Sequence, residues 1–161
     1  MNKLIIVQHG HHDGSGDLTP QGEREIRELS EILKRQCVNG GMVSILSSHA
    51  FVARRSGRIM GDSLDALCRA NPSLYSNPRS PLRYDDVLAL IAETGSNADV
   101  VILVVHEDSM ELPRLYGEQV LGVRGFPFTY PGPAQAWIID HAEKTCRHSS
   151  QLPRSSQLLR S

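Results

Sequence analysis

Lysine is scarce in this chain of 161 residues: of 17 basic side chains only Lys3, Lys34 and Lys144 are lysines. Arginine suits flat, two-pronged contacts with phosphate or carboxylate, although codon bias produces the same skew. Surplus charge is lacking too, and a formal net charge of −1 argues against a dominant nucleic-acid-binding surface. No apolar run approaches the ~20 residues that a membrane helix needs. The three cysteines, Cys37, Cys68 and Cys146, are odd in number and widely spaced. They offer no disulfide framework, zinc motif or redox pair, and they lead us to expect free thiols and a cytoplasmic protein. Met1-Asn2-Lys3 runs directly into an apolar segment, so no secretory signal is expected. A Gly-x-Ser-x-Gly turn is absent, which argues against a serine hydrolase built on that elbow. No internal repeat is visible.

What is present is an alternation of apolar runs and amphipathic stretches. Leu4-Ile5-Ile6-Val7 is uninterrupted and largely β-branched, as in a strand covered on both faces. His11 to Asp17 is a small polar loop. Leu18-Thr19-Pro20-Gln21-Gly22-Glu23 opens a helix, with Thr19 as cap and Pro20 at the first helical position. Ile26, Leu29 and Leu33 give that helix an apolar face, and Asn39-Gly40-Gly41 stops it. A second strand spans Met42 to Leu46 and ends at Ser47-Ser48. A second helix runs from about Ala50 to Leu67, carrying Arg54, Arg55 and Arg58. Ala70 to Pro81 is a proline-rich loop. Asp85-Asp86 cap a short helix that ends at Gly95. Val100 to Val105 is the most apolar run and a central strand. A fourth helix falls within Glu111 to Leu121, a Pro/Gly/aromatic loop within Gly125 to Gly132, and a last strand over Ala136 to Asp140. The expected fold class is α/β, a three-layer α/β/α sandwich on a mainly parallel sheet. Residues 1–140 form one domain, and 141–161 a disordered C-terminal tail.

Two central-type strands end in histidine, His9 and His106. In a parallel sheet such ends lie on one edge, where α/β proteins bind ligands, so the imidazoles can converge. One can serve as nucleophile and the other as proton donor or anion clamp. Phosphoryl transfer needs an in-line nucleophile and positive charge on the non-bridging oxygens, which Arg54, Arg55 or Arg58 could supply.

The chain resembles the histidine phosphatase superfamily, the phosphoglycerate-mutase-like proteins. Gln8-His9-Gly10 stands where that family has Arg-His-Gly at the end of its first strand. Leu18-Thr19-Pro20-Gln21-Gly22 matches its Leu-Thr-x-x-Gly, and Ile45-Leu46-Ser47-Ser48 its second strand end before an arginine-bearing helix. Val104-Val105-His106-Glu107 matches its late histidine. The small size and the His-Glu pair are closest in style to the compact phosphohistidine phosphatases. The likeness covers residues 3 to about 140.

The resemblance implies a phosphoglycerate-mutase-like fold and hydrolysis of a small phosphoester or phosphohistidine. His9 would attack phosphorus and carry it, while His106 would stabilise charge on the phosphoryl oxygens. Gln8, Gly10, Ser48, Arg54, Arg55 and Glu107 are the substrate-binding candidates. Neither metal nor cofactor is implied. The partner would be a small phosphorylated molecule or a phosphoprotein, with no nucleic acid and no membrane. Gln8 and Val52 stand where the family has arginine, so weakened activity is expected. Arg55 lies three residues past Val52, on a similar helical face. For the acid that protonates the leaving group, Glu107, Asp108 and Asp13 are candidates by nearness in sequence.

Two further readings stand beside the phosphatase. One is a non-catalytic relative that binds a phosphorylated ligand or protein. The other is a metal site on His9, His11, His12 and Asp13, against which His11 and His12 are taken as solvated loop residues.

Overall fold

Six strands form one sheet in the order β3-β2-β4-β1-β5-β6. The computed structural model describes residues 1–153. Strands β1 (Lys3–Gln8), β2 (Val43–Ser47), β3 (Cys68–Ala70) and β4 (Val100–Val105) are mutually parallel where they pair. Strands β5 (Ala136–Asp140) and β6 (Thr145–His148) continue the sheet in the antiparallel sense beyond β1. Helices α1 (Pro20–Leu33), α2 (Phe51–Leu64), α3 (Tyr84–Gly95) and α4 (Leu112–Tyr116) connect them.

The sheet has a core on each face. Ile5 and Val7 of β1 pack with Ile26 and Leu33 of α1 and Met60 of α2. Leu4 and Ile6, pointing the other way, pack with Val87 and Ile91 of α3 and with Tyr116 of α4. Alternate residues of one strand thus enter opposite cores, which is why β1 and β4 are apolar without a break. The expected three-layer α/β/α sandwich is the fold observed.

Several boundaries differ from expectation. Helix α2 ends at Leu64, not Leu67: Asp65 turns left-handed (φ 52°), and its N–H closes on the Gly61 carbonyl. The chain then forms the short edge strand β3, at the junction between the expected helix and the expected loop. Asp85 and Asp86 lie in the first turn of α3 and the cap is Arg83, so the two carboxylates favour that helix end through its dipole. Pro113 sits within the first turn of α4, where it removes no helical hydrogen bond.

The expected tail is corrected over 141–153. Glu143 N–H bonds the Asp140 carboxylate (2.9 Å), Lys144 takes a left-handed φ of 52°, and the chain returns as β6. Leu152 is buried in the core beneath α1. The turn carries no glycine and β6 only one apolar side chain, Cys146, so neither gave a hairpin pattern. Residues 154–161, with Arg154, Leu158, Leu159 and Arg160, lie outside the described residues. No helix among the described residues is long and apolar enough to cross a membrane.

Candidate active site

Strand register brings the two histidines together. Gln8 of β1 pairs with Val105 of β4, so His9 and His106, each the next residue, lie side by side past the sheet edge. His9 N–H reaches the Val105 carbonyl (3.3 Å), and Ser48 N–H reaches that of Val104 (3.0 Å) from the neighbouring strand end. The ring centroids of His9 and His106 are 4.9 Å apart in an edge-on arrangement.

His9 is 9% exposed. Its Nδ1 lies 2.9 Å from the carbonyl of Gly10. A carbonyl can only accept, so Nδ1 carries the proton and Nε2 keeps its lone pair. Burial holds His9 below the ordinary imidazole range, with His12 pushing the same way; the Gly10 carbonyl and Glu107 oppose this. The ring is therefore neutral near neutral pH, with one nitrogen fixed and the other nucleophilic.

His106 is arranged the other way round. Its Nε2 lies 2.7 Å from Ser48 Oγ. That hydroxyl oxygen already receives the Ala50 N–H (3.1 Å) and has its own proton to give to Nε2; neutral His106 then carries its proton on Nδ1. Burial, with smaller contributions from His9 and His12, lowers its pKa to about 4. Gln8, buried beside it, lines a small cavity with His106, Glu107 and Tyr130.

The glycines of the two N-terminal motifs hold the site loop against α1. A Cβ on Gly10 would lie 2.9 Å from the Gly22 carbonyl and 3.1 Å from Ile26 and Leu18 side-chain carbons. A Cβ on Gly22 would run into the carbonyl of His11. Thr19 caps α1 as expected, accepting Gly22 N–H at 3.0 Å. The spacing between the two motifs is thus a packing requirement: the helix start and the turn after His9 approach backbone to backbone.

The arginines are placed elsewhere. Arg55 pairs with Glu23 of α1, which raises its pKa through hydrogen bond and charge. Arg54 and Arg58 are exposed. The face of α2 next to the site presents Val52, buried, and Ser56, which accepts Gly10 N–H (3.2 Å) and donates to the Val52 carbonyl (2.9 Å). Of the two arginines expected to serve the phosphoryl group, Arg55 tethers α2 to α1 and Arg54 is exposed.

The acid candidates also separate. Asp13 accepts the Ser15 N–H (2.8 Å) and hydroxyl, which hold its carboxyl below the usual range. Asp108 receives the Ser76 hydroxyl. Glu107 is exposed and close enough to act electrostatically on His9. His11 turns away to Glu25 of α1 (2.8 Å). Among the described residues no three His, Cys, Asp or Glu side chains are grouped as metal ligands.

His12 is the residue the sequence reading missed. Its ring sits edge-on to His9, centroids 5.3 Å apart. The loop 13–17 turns tightly (Asp13 N–H to Asp17 O, 3.0 Å), and His12 bridges to Leu18. That return swings His12 back over the strand end. No local pattern foretold it, since the loop's closure is set by contacts six residues apart.

No protein-family model and no curated protein matches the sequence. Solved structures do match in fold. The protein histidine phosphatase SixA, complexed with tungstate, superposes with a TM-score of 0.64 at 22% identity, covering 90% of this chain and 94% of that one. A mycobacterial glucosyl-3-phosphoglycerate phosphatase gives 0.61 at 12%, covering 91% and 96%. A phosphoserine phosphatase variant from Entamoeba histolytica, in complex with phosphoserine, gives 0.63 at 12%, covering 92% and 95%. The chain has the fold of these phosphatases. At such identities the likeness concerns backbone architecture, and the chemistry rests on the side chains described above.

Proposed function

We propose that the protein belongs to the histidine phosphatase superfamily and hydrolyses a small phosphoester or phosphohistidine through a phosphohistidine on His9. One observation carries this reading: two imidazoles converge at adjacent strand ends, and the buried one has Nδ1 occupied and Nε2 open. In the first half-reaction His9 Nε2 attacks phosphorus and the P–O or P–N bond to the leaving group breaks. His106 faces the phosphoryl oxygens and donates through Nδ1–H, and Gln8 supplies amide donors. Water then attacks the phosphohistidine, the N–P bond breaks, and phosphate leaves. Three unpaired thiols fit a reducing compartment such as the cytoplasm. The neighbours named above are phosphatases, which supports a phosphorylated small molecule or phosphoprotein as the partner.

Turnover is expected to be weak. Removing one charged or dipolar contact to a developing oxyanion costs about 10²–10³ in rate, and no arginine stands at Gln8 or Val52. That same observation favours the second reading, a non-catalytic relative that binds a phosphorylated ligand. An aryl phosphate assayed from mildly acid to neutral pH decides between them. Turnover abolished by His9→Ala supports the enzyme; turnover untouched by that change, or none in the wild type, rejects it.

A further inference from the structure

The second ring beside the nucleophile has no part in the mechanism so far. His12 lies 5.3 Å from His9, ring centre to ring centre, on the exposed side of the buried nucleophile. Its Nδ1 is 3.0 Å from the Asp13 carbonyl, so Nδ1 carries a proton and Nε2 is the atom left to give or take one. Both rings are therefore fixed in the same way, each by the carbonyl of the residue that follows it. An in-line leaving group lies on the far side of phosphorus from His9 Nε2, and His12 is the exposed ring beside that nucleophile.

We propose that His12 is the general acid and base of this site: protonated at Nε2, it gives its proton to the departing oxygen or nitrogen. The inference rests on the phosphatase reading above. As His9 Nε2 forms the bond to phosphorus, the leaving-group bond breaks and its electron pair takes the proton from His12, so the leaving group departs neutral. His12, now neutral, removes a proton from the attacking water. The N–P bond then breaks, its electron pair returns to His9, and phosphate leaves with His12 protonated again.

The acidic candidates are less well placed. Asp13 is held as a carboxylate by Ser15, and Asp108 is engaged by Ser76. Glu107, exposed and close enough to act on His9, remains the rival that the leaving-group test separates from His12. A cationic imidazole at this position also returns some of the positive charge that Gln8 and Val52 do not provide. The groups that bear on His12 are His9 from the end of β1, His106 from the end of β4 and Asp13 within its own loop.

General acid catalysis is read by the leaving group. With phenyl or alkyl phosphates, whose oxygens need a proton to depart, His12→Ala should lower kcat/KM, which reports formation of the phosphohistidine, by about 10²–10³-fold. With a dinitrophenyl phosphate, which leaves unaided, the loss in kcat/KM should stay within about threefold, while kcat falls through slower hydrolysis of the intermediate. His12→Gln, which keeps volume and polarity, should repeat the pattern. His12→Glu should restore alkyl phosphate turnover only at lower pH, moving the alkaline limb of the profile. An equal loss of kcat/KM on every leaving group, or none, overturns the inference. So does the same leaving-group dependence appearing in Glu107→Gln in place of His12→Ala. Wild-type inactivity on all three substrates instead removes the phosphatase reading, and the acid role with it.

Discussion

The ends of β1 and β4 start from the same design and finish differently. Each central strand carries six residues and passes directly into a histidine. What separates the two imidazoles is which nitrogen the backbone and its neighbours occupy. At His9 a carbonyl takes Nδ1 and leaves Nε2 open; at His106 a serine hydroxyl takes Nε2. In the proposed mechanism the first arrangement serves as nucleophile and the second as fixed donor. Role at this sheet edge is set by the hydrogen bond behind the ring, not by the residue type.

The comparison is broken most severely at His9. His9→Ala should drop turnover of an aryl phosphate to background, a loss of roughly 10³-fold or more as for other covalent nucleophiles, with the melting transition retained. His106→Ala should cost about 10²–10³ in kcat, because the phosphoryl oxygens lose a preorganised donor, while a phosphorylated His9 still forms slowly. Ser48→Ala keeps both rings and removes only the contact that orients one of them; one neutral hydrogen bond of about 1 kcal/mol corresponds to a roughly fivefold loss. Steady-state kinetics on the three variants should give that order.

Acid stability separates the two rings by another route. His9 is buried and His106 half-buried, and desolvation lowers both pKa values, His106 to about 4. Below the ordinary imidazole value of ~6.5 the unfolded chain takes up protons that the folded chain refuses. The stability that neutral His106 contributes is thus complete above about pH 6.5 and is lost as the pH falls toward about 4. Thermal melting between these limits should show a falling midpoint, and His106→Asn should flatten that slope while shifting the midpoint little at neutral pH.

The smallest change tests the scaffold beneath His9 alone. Gly22→Ala places a methyl group against the His11 carbonyl, and overpacking of this kind costs about 1–3 kcal/mol. It should lower the denaturation midpoint and disturb His9 through its loop, leaving the His106–Ser48 pair intact.

What the sequence disclosed follows from periodicity and its limits. β1, β4 and α1 are legible because burial on two faces, or on one helical stripe, imposes a pattern over many residues. The edge strands β3 and β6 are three and four residues long and mostly exposed, so they carry almost no pattern to read. The two histidine strand ends could be predicted from parallel pairing, and Gly10 and Gly22 from their motifs. The partner of Arg55 could not, because Glu23 lies on another helix 32 residues away. His12 escaped for the same reason: a loop of small polar residues gives no periodicity from which its return over His9 could be read. Helix position also misled, since Arg54 and Arg55 follow Ser48 closely while Val52 and Ser56 hold the face toward the strand end.

The central claim is that His9 Nε2 forms a covalent bond to phosphorus. Its most direct test is to quench the protein at alkaline pH during turnover of an aryl phosphate and map the modified residue by mass spectrometry. The account predicts one acid-labile phosphoryl group on His9, absent in His9→Ala and, with a dinitrophenyl phosphate, accumulating in His12→Ala, which should release it more slowly. Phosphate released with no phosphorylated intermediate, or a phosphoryl group on His106 or His12 with His9 unmodified, would contradict it.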